Sequence, residues 1–245
     1  MTSISKMVLP CLTAGLLSVA MFGNAADETS ASAAATTGSA SEAASAAGLK
    51  PIAIKLPKPV FVGTPKNINV PNLETPTKER PPLMAPADVT NLALKKDVKA
   101  SDDEPIVGEA DMITDGDKEA ADGSYVEFGP GVQWVQIDLG SENEIWGIVL
   151  WHYHQQARVY NDVVVKTADD PDFTTNVHTV FNNDHDNSAK LGLGKDKAYI
   201  ETNEGKTIDA KGVHGRYVRC YSNGNTANEM NDYIEVEVYG RAVKK

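Results

Sequence analysis

Three short segments hold most of the side chains able to do chemistry: Trp151-His-Tyr-His-Gln-Gln-Ala-Arg158, Phe181-Asn-Asn-Asp-His-Asp-Asn-Ser188 and Ser222-Asn-Gly-Asn-Thr-Ala-Asn228. Their imidazole, amide, carboxylate and guanidinium groups are fixed donors and acceptors, and the aromatic rings among them offer apolar faces. Together they suit a polar ligand that also has an apolar face. The candidate ligand-binding residues are His152, Tyr153, His154 and Arg158 from the first segment, Asn183, Asp184 and His185 from the second, and Asn223 and Asn225 from the third. Tyr153 or Tyr160 would be the platform. An extended backbone over 151–154 puts His152 and His154 on one face and Trp151 and Tyr153 on the other. One of those faces must look inward, so the same residues also suit a core role or local hydrogen bonding.

A transition metal is a rival use. His152-x-His154 with Asp184-His185-Asp186 offers imidazole and carboxylate ligands, and an open position on such a metal could activate water for hydrolysis. No His-Glu-x-x-His and no paired cysteines accompany it. Asn182-x-Asp184-x-Asp186 imitates the first half of an EF-hand loop, but its twelfth position is Leu193 where a glutamate is needed. Gly-x-Ser-x-Gly is absent, Gly192-Leu-Gly-Lys195 lacks the spacing of a phosphate loop, and no carboxylate pair for glycoside hydrolysis stands out. The residues therefore predict binding rather than catalysis.

Positioning these loops requires a scaffold, and the scaffold is all-β. In Trp134-Val-Gln-Ile-Asp-Leu-Gly140 and Tyr233-Ile-Glu-Val-Glu-Val-Tyr-Gly240 apolar residues alternate with polar or aromatic ones. Period two means strands with one face on a core. Further short β-rich runs cover 98–101, 145–153, 163–168, 177–181, 198–201 and 217–221, separated by Gly, Asp and Asn clusters. That spacing predicts a two-sheet jelly-roll sandwich over 88–242, with function on the long loops.

The stretch before it is different. Lys6, an apolar run to Phe22 and Gly23-Asn-Ala25 predict a signal peptide over 1–25, hence an exported protein with no membrane insertion of the mature chain. Cys11 comes too early in the apolar run for a lipoprotein site. Residues 26–86, first Ala/Ser-rich and then Pro-rich, predict a disordered linker ending in an extended spacer. Cys220, alone once Cys11 is removed, predicts a small buried hydrophobe. The net charge is −11 and the first 86 residues are weakly basic, so the acidity belongs to the sandwich. An acidic surface disfavours nucleic acid and anionic lipid and favours divalent cations.

Asn91-Leu-Ala-Leu94, Val98-Lys-Ala-Ser101, Ile113-Thr-Asp-Gly116, Trp134 to Gly140, Gly215-Arg-Tyr-Val-Arg219 and Glu235-Val-Glu-Val-Tyr-Gly240 together resemble the discoidin, or coagulation factor V/VIII C-type, domain. That group shares the galactose-binding-domain-like jelly roll and includes secreted bacterial carbohydrate-binding modules. The resemblance covers about 89–241 and implies a glycan or another polar cell-surface ligand, held at strand-end loops. A protein–protein adhesion or assembly module of the cell envelope is the alternative. It also implies a structural calcium that clamps the Asp-Gly loop to the last strand. Asp115 and Glu235 match the pattern, and Glu109, Asp117 and Asp122 are further candidate ligands. Ala120-Ala-Asp-Gly123 departs from it, standing where the family has Thr or Ser and an aromatic.

Overall fold

The computed structural model describes residues 48–61, 68–75 and 80–244. The expected signal peptide and the Ala/Ser-rich part of the linker lie outside the described residues. Ten strands follow in order: β1 (Lys50–Pro51), β2 (Met84–Ala85), β3 (Thr90–Asn91), β4 (Val98–Ala100), β5 (Val126–Phe128), β6 (Gln133–His152), β7 (Val164–Ala168), β8 (His178–Asn182), β9 (Lys206–Ser222) and β10 (Asn231–Ala242). A 3-10 turn, Ala110–Thr114, is the one helical element among them. No helix among the described residues is long and apolar enough to cross a membrane.

The long strands β6 and β9 pair antiparallel throughout, but their register shifts between Asp138 and Asn143 and again between Ile145 and Gly147. The ribbon folds over at these irregularities, since a bulge bends the strand that carries it. Its first half pairs with β4 on one side and β7 on the other, and β8 completes that layer. Its second half pairs with β10, which in turn holds β3 and β5. Alternation sends Val135, Ile137, Val218 and Cys220 of one layer and Ile148, Leu150, Val236 and Val238 of the other into a single buried cluster. The molecule is a β-sandwich, as the alternation predicts. Cys220 is fully buried there, and burial pushes its thiol up to about 12.

Two expectations about elements change. Residues 198–201 do not form a strand; Ala198 makes an isolated bridge to Leu73. The Tyr217 run is the second half of a longer strand whose first half, Lys206 to Gly215, carries few apolar residues, with Ile208 and Ala210 buried in the core and Val213 packed against it.

The Pro-rich stretch, expected as a free spacer, lies on the sandwich wherever it is described. β1 pairs with β2, and Ile52, Ile54 and Leu83 cover Val149, Trp151 and Ile234 on the outer face of the β10 layer. The Pro57 carbonyl accepts a bond from Asn203 at 2.9 Å, Arg80 donates to the Glu204 and Gly205 carbonyls, and Lys206 meets Glu74 at 2.7 Å. Prolines do not prevent this packing, because an irregular extended segment needs few backbone donors and Ile52, Ile54 and Leu83 bring the apolar surface. Gly147 makes the approach possible: a Cβ there would stand 2.3 Å from Leu83 Cδ2.

Candidate functional site

The folded-over ribbon brings both ends of β6 to one end of the sandwich. Gln133 pairs with Ser222, and His152 pairs with Tyr233. Asn231 ties the two layers there: its Nδ2 donates to the Gly129 and Gly131 carbonyls, and its Oδ1 accepts from Gly224 N and Ser222 Oγ. The 152–163 loop joins by an isolated bridge, Tyr160 to Asn225, and by Val163 N donating to Asn183 Oδ1 at 2.7 Å. All three chemistry-bearing loops therefore gather at one pole.

Several of the candidate residues are spent on holding that pole together. Asn183 Oδ1 caps Val163, and Asp184 is fully buried with its oxygens accepting Ser188 N and Ala189 N. Asn225 accepts Ala227 N and donates to Asn228 Oδ1 and the Met230 carbonyl. Asn223 donates to Asp162 Oδ2 and stays half-buried, while His185 is exposed. Polar loop residues close turns because their side chains mimic backbone partners.

The two histidines part company. His152 faces the core, stacked on Tyr160 at 4.1 Å between ring centroids, with Nδ1 3.2 Å from Glu201 Oε2. Both members of this pair are completely buried. Burial lowers His152 to about 3 and raises Glu201 well above the usual carboxylate value, so the pair is held net neutral. His154 is buried beneath the acidic loop, its Nε2 3.0 Å from the Lys118 carbonyl, and burial lowers its pKa. With His185 on the surface, the imidazoles do not share a metal site. The one group of three close metal-type donors among the described residues is Asp162, Asp184 and Asp186, without histidine.

A further cluster of polar and aromatic side chains gathers around β5, β10 and the 152–160 loop. Tyr125 and Tyr153 meet edge to face, centroids 5.0 Å apart, and both are half-buried. The Arg158 guanidinium lies 4.7 Å over the Tyr153 ring and bonds Asp232 Oδ2 at 2.9 Å. Tyr160 donates its hydroxyl to the same oxygen at 2.7 Å. Asp232 stands directly across from Glu127 in the β5–β10 pairing. Burial first, and then hydrogen bonding with Asp232, raises Glu127 above the usual carboxylate value. Tyr125, Glu127 and Asp232 are absent from the sequence-derived set because they sit on or beside strands far apart in the chain. The available signal was a carboxylate at each strand end, Glu127 and Asp232, beside the tyrosines Tyr125 and Tyr233.

At the acidic loop, Glu235 is fully buried and accepts the Gly116 N–H at 3.1 Å through Oε2, while Oε1 has no partner. Burial raises its pKa to about 8, against the opposing pull of that bond. A buried carboxylate bonded to the Asp115-Gly116 turn through one oxygen and free at the other fits a cation ligand. Asp115 raises the same pKa by its charge, and Lys118 lowers it. The Lys118 ammonium is itself paired with Glu237 at 2.6 Å. Glu109, Asp117 and Asp122 are exposed, and the structure does not gather them with Glu235.

No family model matches the chain, and no curated protein matches it. Among solved structures the chain is similar to the CBM32 domain of AlyQ, in complex with 4,5-unsaturated mannuronic acid, at 17% identity and TM-score 0.43 over 58% of this chain and 92% of that one. It is also similar to a variant of chitosan-binding module 1 from a chitosanase/glucanase of Paenibacillus sp. IK-5, at 23% identity and TM-score 0.44 over 61% and 98%. The fucose binding module SpX-3 of Streptococcus pneumoniae matches at 20% identity and TM-score 0.44 over 64% and 99%. The likeness is one of fold alone.

Proposed function

We propose that the chain is an exported, non-catalytic module that binds a carbohydrate at the Tyr125–Tyr153 patch, with a structural calcium at Glu235. The observation that supports the sugar reading is an aromatic pair left half-exposed beside a guanidinium whose position is pinned by a buried carboxylate. A pyranose ring lies on tyrosine, and its hydroxyls meet Arg158 and Glu127; Asn223 and His185 stand at the same end of the sandwich for further residues of an oligosaccharide. Such a site is ready before binding, since Asp232 and the ring of Tyr153 already fix the Arg158 fork.

Calcium, when bound, supplies the positive charge that Glu235 lacks and ties the Asp115-Gly116 turn to β10. Asp115 and Glu235 are the side chains that would hold it. The sugar reading is tested by a glycan array of the full chain, followed by titration of any hit against Tyr153→Ala. Loss of at least about tenfold in affinity is expected, the scale of one aromatic contact. An array without a single glycan hit would sink the reading.

A further inference from the structure

We propose that the Tyr125–Tyr153 patch selects an amino sugar, whose ammonium group is received between the carboxylates of Glu127 and Asp232. The inference rests on the carbohydrate reading above and specifies its ligand class.

Glu127 on β5 and Asp232 on β10 are direct cross-strand partners, and like charges placed opposite one another are unfavourable. One cation, Arg158, stands against the two acids, and it is committed to a single oxygen. Arg158 and Tyr160 both donate to Asp232 Oδ2. Asp232 Oδ1 is left without a partner although the residue is only 1% exposed. A buried acceptor with no donor is costly, and Glu127, its cross-strand neighbour, is half-buried. With both carboxylates ionised the patch lacks one positive charge and a donor at Asp232 Oδ1, although Arg158 Nε beside it is also unpartnered, and it lies next to an aromatic surface; a proton held between Glu127 and Asp232 is what a ligand would replace.

An ammonium group supplies both. It is a compact charge with three donors, enough for Asp232 Oδ1 and Glu127 at once, whereas a hydroxyl has one donor and no charge. An N-acetyl group keeps one N–H and loses the charge. A site holding unpaired acceptors discriminates strongly against ligands that lack the matching donor. A divalent metal suits the place less well, because the Arg158 guanidinium already sits on Asp232 and calcium asks for roughly six to eight oxygens.

The test is calorimetry on the full chain with three β-1,4-linked tetramers of one backbone that differ only at C2: glucosamine, N-acetylglucosamine and glucose. At about pH 6 and low salt the glucosamine tetramer should bind about tenfold or more tightly than the glucose tetramer, and added salt should shrink that margin. Glu127→Gln, checked for an intact melting transition, should abolish the margin. The comparison among tetramers uses the unaltered protein, so it stands even where the variant fails to fold. Equal binding of all three overturns the ammonium proposal and leaves the carbohydrate reading standing. Tighter binding of tetralysine than of the glucosamine tetramer, or calcium competing for the patch, overturns it too. Binding of none of the three, together with an empty glycan array, removes both readings.

Discussion

Glu235 shows how one residue can be legible in type and opaque in environment. Its place in the alternating Tyr233–Gly240 run makes it a strand residue, and its acidity makes it a ligand candidate. Only the fold reveals that it is fully buried, with Oε1 unpartnered. The folded pKa, about 8, lies above the unfolded value near 4.5. Stability linked to this group is therefore fully present below pH ~4.5 and is lost as pH rises towards 8, a cost of roughly 5 kcal/mol at most. Bound calcium would offset that cost by stabilising the carboxylate. In chelator, the melting temperature of the full chain should fall between about pH 5 and 8, and Glu235→Gln should flatten the decline. Adding calcium at ~100 times its dissociation constant should restore about 2.7 kcal/mol to the unaltered chain but not to the variant. An identical melting curve in calcium and in chelator at pH ~8 would rule the metal out. By contrast, Asn183 and Asn225 were legible as loop amides but not as structural ones. Their partners, Val163 N for the first and Ala227 N for the second, become apparent only once the backbone has turned.

At the scale of elements, the strands that show clear alternation are the ones with a single inward face. Trp134–Leu139 puts Val135, Ile137 and Leu139 into the core cluster and β10 puts Val236 and Val238 there, so most of their period survives in the sequence, while a register shift between Tyr233 and Glu235 leaves Tyr233 in the core and Ile234 on the outer face. The first half of β9 has Ile208 and Ala210 buried and Val213 half-buried among Asp209, Lys211 and Gly212, and its pattern fades into that of a polar loop. Its start is fixed instead by a turn. Gly205 has φ +64°, and a Cβ there would stand 2.7 Å from the Trp151 ring, whose indole N–H donates to the Asn203 carbonyl at 3.0 Å. Gly205→Ala must therefore bear left-handed strain of about 1 kcal/mol and displace a buried indole. A loss of about 2 kcal/mol or more in denaturant unfolding is expected, with the Trp emission shifting to the red in the native baseline. A midpoint unchanged within error would show that this turn does not set the register of β9.

For the whole molecule, the question is where the folded unit begins. Composition places the boundary near residue 88, because the stretch before it is rich in proline and poor in alternation. The boundary drawn by packing lies earlier: Ile52, Ile54 and Leu83 cover the outer face of the β10 layer, and β1–β2 clips the segment to itself. Sequence hid this because three scattered aliphatic residues show no period; their common face is created by the sheet they land on. Without them Val149, Trp151 and Ile234 would present a contiguous apolar patch to water, and such patches drive association. A chain starting at Ala87 should lose about 3 kcal/mol relative to the full chain, bind a hydrophobic dye and self-associate. Leu83→Ala in the full chain should give a milder version, with a loss of about 2 kcal/mol. Equal stability of the shortened and full chains would mean that the segment rests on the sandwich without contributing to it, and that all of the stretch before residue 88 is available as reach. If the shortened chain is less stable, the segment belongs to the domain, and the spacer that sets the reach of the binding pole is correspondingly shorter than composition alone suggests.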